Sequence, residues 1–205
     1  MDQTTENIRQ IKKTFRLFMN GVTSRSMREK GLEYRVNWGI PLAQLKEIAS
    51  GYDKSFNLAS ELWKDDVREC KILATMLMPA DKMTHGLAED WIKHTSSMEI
   101  AEMCALNLFQ NLEDAHLLAL RWLSSDNLVV RICAYHVLCR LIMKGFKPDY
   151  NQAGQILNSI HEALSDNNTA LKHAAVNCLT RFISISDGYS AMADSVLADL
   201  KTDIF

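Results

Sequence analysis

The sequence predicts an all-α fold, a solenoid of repeated helical pairs (an α-α superhelix) with a concave groove. Three observations support this. Apolar residues recur at steps of three and four rather than in alternation, only three prolines and eight glycines punctuate 205 residues, and the chain resembles itself near its end. At this length, with 47% hydrophobic residues, the chain is expected to form one domain, 1–205, with a substantial core.

The first helix is expected at approximately 4–23. There Ile8, Ile11, Phe15, Phe18 and Val22 make a core-facing stripe, while Arg9, Lys12, Lys13 and Arg16 occupy the other face. Further helices are expected at approximately 41–51, 55–64, 66–78, 84–94, 97–111 and 113–123. The helix at 97–111 opens on Ser96-Ser97-Met98-Glu99, which fits a capping box with Ser96 at the N-cap and Glu99 at N3. Acidic residues in its first turns, Glu99 and Glu102, suit the positive end of the helix dipole.

The last helices, at approximately 127–144, 150–164, 168–185 and 189–202, contain the repeat. "SDNLVVRICAYHVLCRLI" at 125–142 resembles "SDNNTALKHAAVNCLTRFI" at 165–183, with one inserted residue. Arg131 then aligns with Lys172, Ala134 with Ala175, Leu138 with Leu179 and Arg140 with Arg181. The period of about 40 residues is that of HEAT-type helical pairs. In both copies Ser-Asp-Asn precedes a helix, where short polar side chains accept from its free N–H groups. Stacked pairs of this kind form a solenoid whose groove holds extended partners.

Composition narrows the function. With 23 basic and 25 acidic residues the net charge is -2, so a nucleic-acid surface would have to be local. The N-terminus lacks a basic segment followed by an apolar one, and no stretch approaches a membrane span. The expectation is a soluble intracellular protein, cytoplasmic, without a membrane partner. Cys70, Cys104, Cys133, Cys139 and Cys178 are widely spaced with no CxxC pair, which suits small core residues and not a zinc site; no metal or cofactor is expected.

The run "WGIPLAQLKEIAS", then "LASELWKDDVRECKILATMLM", then "WIKHTSSMEIAEMCALNLF", resembles the DNA alkylation repair family of AlkD-like HEAT-repeat proteins, from about Asn37 to Ile185. The resemblance implies a DNA glycosylase that removes N3- or N7-alkylated purines while tracking duplex DNA in a basic groove. It also implies a catalytic helix opening with Trp-Asp-x-x-Asp, where this chain has Met98, Glu99 and Glu102, and a second Trp where it has Cys178, with Arg181 retained. Glu102 is the one candidate catalytic carboxylate, as stabiliser of the sugar cation formed when the base leaves. Met98 and Cys178 are substituted site positions, since thioether and thiol do not hold a cationic group as an aromatic face does.

On a helical wheel Val130, Ala134, Val137, Leu138 and Leu141 point inward, which leaves His136, Arg140 and Lys144 on one flank. With Arg131, Lys172, His173 and Arg181 they form the candidate DNA-binding set, able to contact phosphates. Arg25, Arg28, Lys30 and Arg35 add basic residues near Tyr34 and Trp38, and Glu61, Asp65, Asp66, Glu69, Glu113 and Asp114 dilute the pattern. Three functions follow: a DNA-binding family member, weak or inactive as a glycosylase, with duplex DNA (alkylated DNA included) as partner; an active glycosylase using Glu102; or a HEAT-type scaffold for a protein partner.

Overall fold

The computed structural model describes residues 2–32, 34–95 and 97–199 and is helical throughout, with no strand among the described residues. It divides into two compact units, Met1–Thr84 and His85–Phe205.

The first unit contains α1 (Gln3–Phe18), α2 (Gly21–Glu29), α3 (Leu42–Ser50), α4 (Phe56–Lys64) and α5 (Arg68–Leu77). The apolar stripe of the N-terminal segment is interrupted, and this corrects the expectation of one helix over 4–23. The backbone leaves the helix at Met19, and Asn20 begins a second one, its side chain accepting from the Thr23 N–H at 3.0 Å. Asn followed by Gly favours such a break, because the Asn amide competes for backbone bonds and Gly contributes no packing. Ile11 and Phe15 are fully buried, whereas Phe18 is 38% and Val22 82% exposed, so the stripe stops covering the core where the helix stops. Burial of a side chain like Phe15 is worth about 1.5–3 kcal/mol.

The corner between α1 and α2 is held by hydrogen bonds to residues 37 and 38. The Asn20 N–H donates to the Trp38 carbonyl at 2.8 Å, and the Ser24 hydroxyl donates to the Asn37 carbonyl at 2.8 Å. Gly39, at φ 71°, lies so close that a Cβ there would overlap the Asn20 carbonyl oxygen and stand 2.7 Å from the Ser24 nitrogen. The strip 36–40 is fixed in turn by Glu69 in α5. This carboxylate is completely buried and accepts from the Trp38 N–H at 3.1 Å, the Ile40 N–H at 3.3 Å and the Arg68 guanidinium at 3.1 Å. Glu69 is therefore not one of the surface acids that dilute the basic pattern.

The second unit contains α6 (His85–Lys93), α7 (Met98–Asn107), α8 (Ala115–Leu123), α9 (Leu128–Met143), α10 (Tyr150–Ser165), α11 (Thr169–Ile183) and α12 (Asp187–Val196). The repeat alignment is realised here: Asn127 caps α9 and Asn168 caps α11, each through its side-chain oxygen. The α7 cap is Ser97, whose hydroxyl accepts from the Ile100 N–H at 3.3 Å; the expected cap Ser96 lies outside the described residues. The end of the last expected helix, at 200–202, lies outside them too, and α12 closes at Val196. Helix α9 is the centre of this unit, packed on α7, α8 and α11, and is buried on nearly every side. Trp122 meets Phe109 edge to face at 5.4 Å, and the buried Tyr135 hydroxyl donates to the Ser159 carbonyl at 2.8 Å.

Candidate functional site

Helices α7, α9 and α11 form a row, with α9 in the middle. Their shared surface has a cleft of about 260 Å³, lined by Glu102 of α7, by His136, Cys139, Arg140 and Met143 of α9, and by Asn177, Thr180 and Arg181 of α11. Four residues of the sequence-derived set therefore meet in one place: Glu102, His136, Arg140 and Arg181. The repeat explains why, because Arg140 and Arg181 occupy equivalent positions on successive helices of the row.

The others lie elsewhere. Arg131 and Lys172 sit in the first turns of α9 and α11, and His173 is exposed beside Lys172. Arg131 lies against the Tyr135 hydroxyl, its Nε buried without a partner. Lys144, just beyond α9, donates to the Asn111 side chain at 2.8 Å. Met98 is half-buried at the first position of α7 and does not line the cleft. Cys178 is fully buried behind it.

Cys139, Met143, Asn177 and Thr180 line the cleft and were missed by the sequence reading. The signal was present: His136, Cys139, Arg140 and Met143 are spaced i, i+3, i+4 and i+7, and Asn177, Thr180 and Arg181 are spaced i, i+3 and i+4.

The electrostatics follow from partial burial beside fixed charges. Burial pushes the His136 imidazole below its ordinary value of 6.5, with the Glu102 carboxylate opposing and the Arg140 guanidinium adding to the fall. A hydrogen bond from the Cys178 thiol lowers Cys139, burial opposes it, and Arg181 and Arg140 help. Cys178, as donor in an apolar interior, is pushed well up.

Near neutral pH the cleft thus holds a neutral imidazole and one carboxylate against two guanidiniums. Because native His136 binds fewer protons than the unfolded chain at and below pH 6.5, acidification through that window withdraws stability. In a proton NMR titration His136 is expected to titrate below 6.5, and lower still in Glu102→Gln, which removes the carboxylate charge that opposes the fall. An unchanged or raised value in that variant would mean that Glu102 does not act on the imidazole.

The model of the family described as DNA alkylation repair enzyme matches residues 7–188. No curated protein matches the chain. A solved structure from a new family of proteins related to the HEAT-like repeat DNA glycosylases, with affinity for branched DNA structures, superposes with a TM-score of 0.81. That likeness has 14% sequence identity and covers 93% of this chain and 81% of the other, so the fold is HEAT-like.

Proposed function

The chain belongs to the DNA alkylation repair enzyme family, and we propose that it acts as a DNA-binding member whose base-excision chemistry is weak or absent. The observation that carries this is the composition of the cleft on α7, α9 and α11. Two guanidiniums outweigh one carboxylate there, and no Trp, Tyr or Phe is among the lining residues.

Departure of an alkylated purine builds positive charge on the sugar, which a carboxylate stabilises and adjacent guanidiniums destabilise. The same surplus of positive charge suits a phosphate, for which a guanidinium provides paired donors. Without an aromatic face, a cationic base or sugar also lacks the ring on which it would rest. The partner is duplex DNA, held through its backbone, with Arg140, Arg181 and His136 as contacts and Arg131, Lys172, His173 and Lys144 as further basic groups on the same unit. The described affinity of the structural neighbour for branched DNA is consistent with this reading.

Replacing Arg140 and Arg181 together with Gln is expected to weaken duplex binding by about ten- to a hundredfold at low salt, and to reduce the salt slope by about two. Base release from methylated duplex is expected to stay near the spontaneous rate for the wild type and for Glu102→Gln alike. Binding that ignores both arginines would defeat the assignment of the cleft. Release of N7-methylguanine or N3-methyladenine that disappears in Glu102→Gln would establish the other reading, an active glycosylase, which the placement of Glu102 in the cleft favours.

A further inference from the structure

The corner between α1 and α2 presents large apolar side chains to solvent. Leu17 is 78%, Met19 61% and Val22 82% exposed, with Phe18 beside them at 38%. Solvated apolar groups this large, clustered in one short stretch, contribute nothing to the core, and such clusters mark contact surfaces.

The corner is tied to the following strip: the Asn20 N–H donates to the Trp38 carbonyl, the Ser24 hydroxyl donates to the Asn37 carbonyl, and Gly39 presses against it, so these side chains project from a hydrogen-bonded base. The surrounding charge is of one sign. From Asn7 to Arg28 the chain has six basic residues and no acidic one, although its overall charge is -2. Arg9 is occupied by Glu6 and Lys12 by Asp65. Lys13, Arg16, Arg25 and Arg28 are exposed, with no ion-pair partner among the described residues. Lys13, Arg16 and Leu17 share one face of α1, and Val22 and Arg25 share one face of α2.

We propose that the α1–α2 corner is a second nucleic-acid contact, in which Leu17, Met19 and Val22 with Phe18 lie against unstacked bases while Lys13, Arg16, Arg25 and Arg28 take the flanking phosphates. This rests on the DNA-binding reading and deepens it, because it names the substrate class: duplex DNA opened at one or more steps. Apolar side chains placed between base steps are how proteins stabilise locally unstacked DNA, and the cost of unstacking is smallest where pairing is already lost. Backbone contacts alone would not distinguish open from closed duplex; apolar contacts to base faces do. The positive rim fits a polyanion, and family membership favours DNA over the other polyanionic surface, an anionic membrane.

The test compares the wild type, a Leu17→Ser/Met19→Ser/Val22→Ser variant and the Arg140→Gln/Arg181→Gln variant. Each is titrated with an intact duplex, with the same duplex carrying a mismatched bubble labelled with 2-aminopurine, and with vesicles containing phosphatidylserine. All three serine substitutions fall on exposed positions, and circular dichroism verifies that the helices persist.

The serine variant is expected to lose about tenfold in affinity for the bubble. It should also lose the 2-aminopurine fluorescence change, with affinity for intact duplex altered less than about twofold. Equal loss on both DNAs, or none on either, would overturn the wedge while leaving the cleft to be judged by the arginine variant. Loss of duplex binding in neither variant, with the bubble still discriminated through the corner, would overturn the cleft and keep the wedge. Vesicle binding tighter than bubble binding, abolished by the serine substitutions, would assign the corner to a lipid surface and overturn the proposal.

Discussion

Glu69→Ala is expected to destabilise the Met1–Thr84 unit by about 3–5 kcal/mol, the cost of leaving one partner of a buried ion pair without the other. The carboxylate is completely buried and Arg68 is 3% exposed. Removing it takes the Glu69 carboxylate away from a buried guanidinium and leaves the half-buried Trp38 N–H and the buried Ile40 N–H without their acceptor. Arg68→Met should cost less, because the carboxylate would still accept from both backbone groups. Urea unfolding followed by circular dichroism reads the difference, and both partners lie in one unit, so the transition of that unit is expected to move first. Equal midpoints for Glu69→Ala and the wild type would mean that the strip 36–40 is held by something else.

Gly39→Ala is expected to cost about 3 kcal/mol or more, by a different route. Its φ of 71° is a left-handed conformation in which a side chain adds about 1–3 kcal/mol of strain. The added methyl would also overlap the Asn20 carbonyl oxygen, a backbone atom that cannot rotate aside, and overpacking of this kind adds about 1–3 kcal/mol. The midpoint in urea is expected to fall without a change in slope, since one methyl group hardly alters the surface exposed on unfolding. Exchange of the Asn20 and Ser24 amides should quicken more than that of α4 or α5. A variant as stable as the wild type would show that the corner can move away from the strip.

Much of the second unit was legible because three signals coincide there. Helical spacing, Asn at the caps and the resemblance of two segments all place α9 and α11 within a residue or two, and the repeat singles out Arg140 with Arg181 from the sequence alone. The N-terminal segment was less legible. A stripe from Ile8 to Val22 keeps helical register across Asn20-Gly21, and periodicity alone does not distinguish a continuous helix from two joined at a corner; only the turn chemistry of that pair does.

Glu69 was misjudged for a related reason. Acids are seldom fully buried, yet it stands between Val67 and Cys70, both buried, where the wheel points inward and only a partner can satisfy the charge. The cleft residues Cys139, Met143, Asn177 and Thr180 escaped because an unremarkable side chain acquires significance only when a neighbouring helix is known to lie beside it.

The repeat that sets α9 beside α11 also acts as a ruler. Equivalent positions on neighbouring packed helices repeat at the interaxial distance, about 8–10 Å, so the separation of the two guanidiniums is set by side-chain volume between the helices and not by a loop. Tyr135 and Cys139 of α9 and Cys178 of α11 meet between these two helices. Enlarging any of them would change the distance between two surface charges without altering either, so the spacing of that charge is determined in the interior.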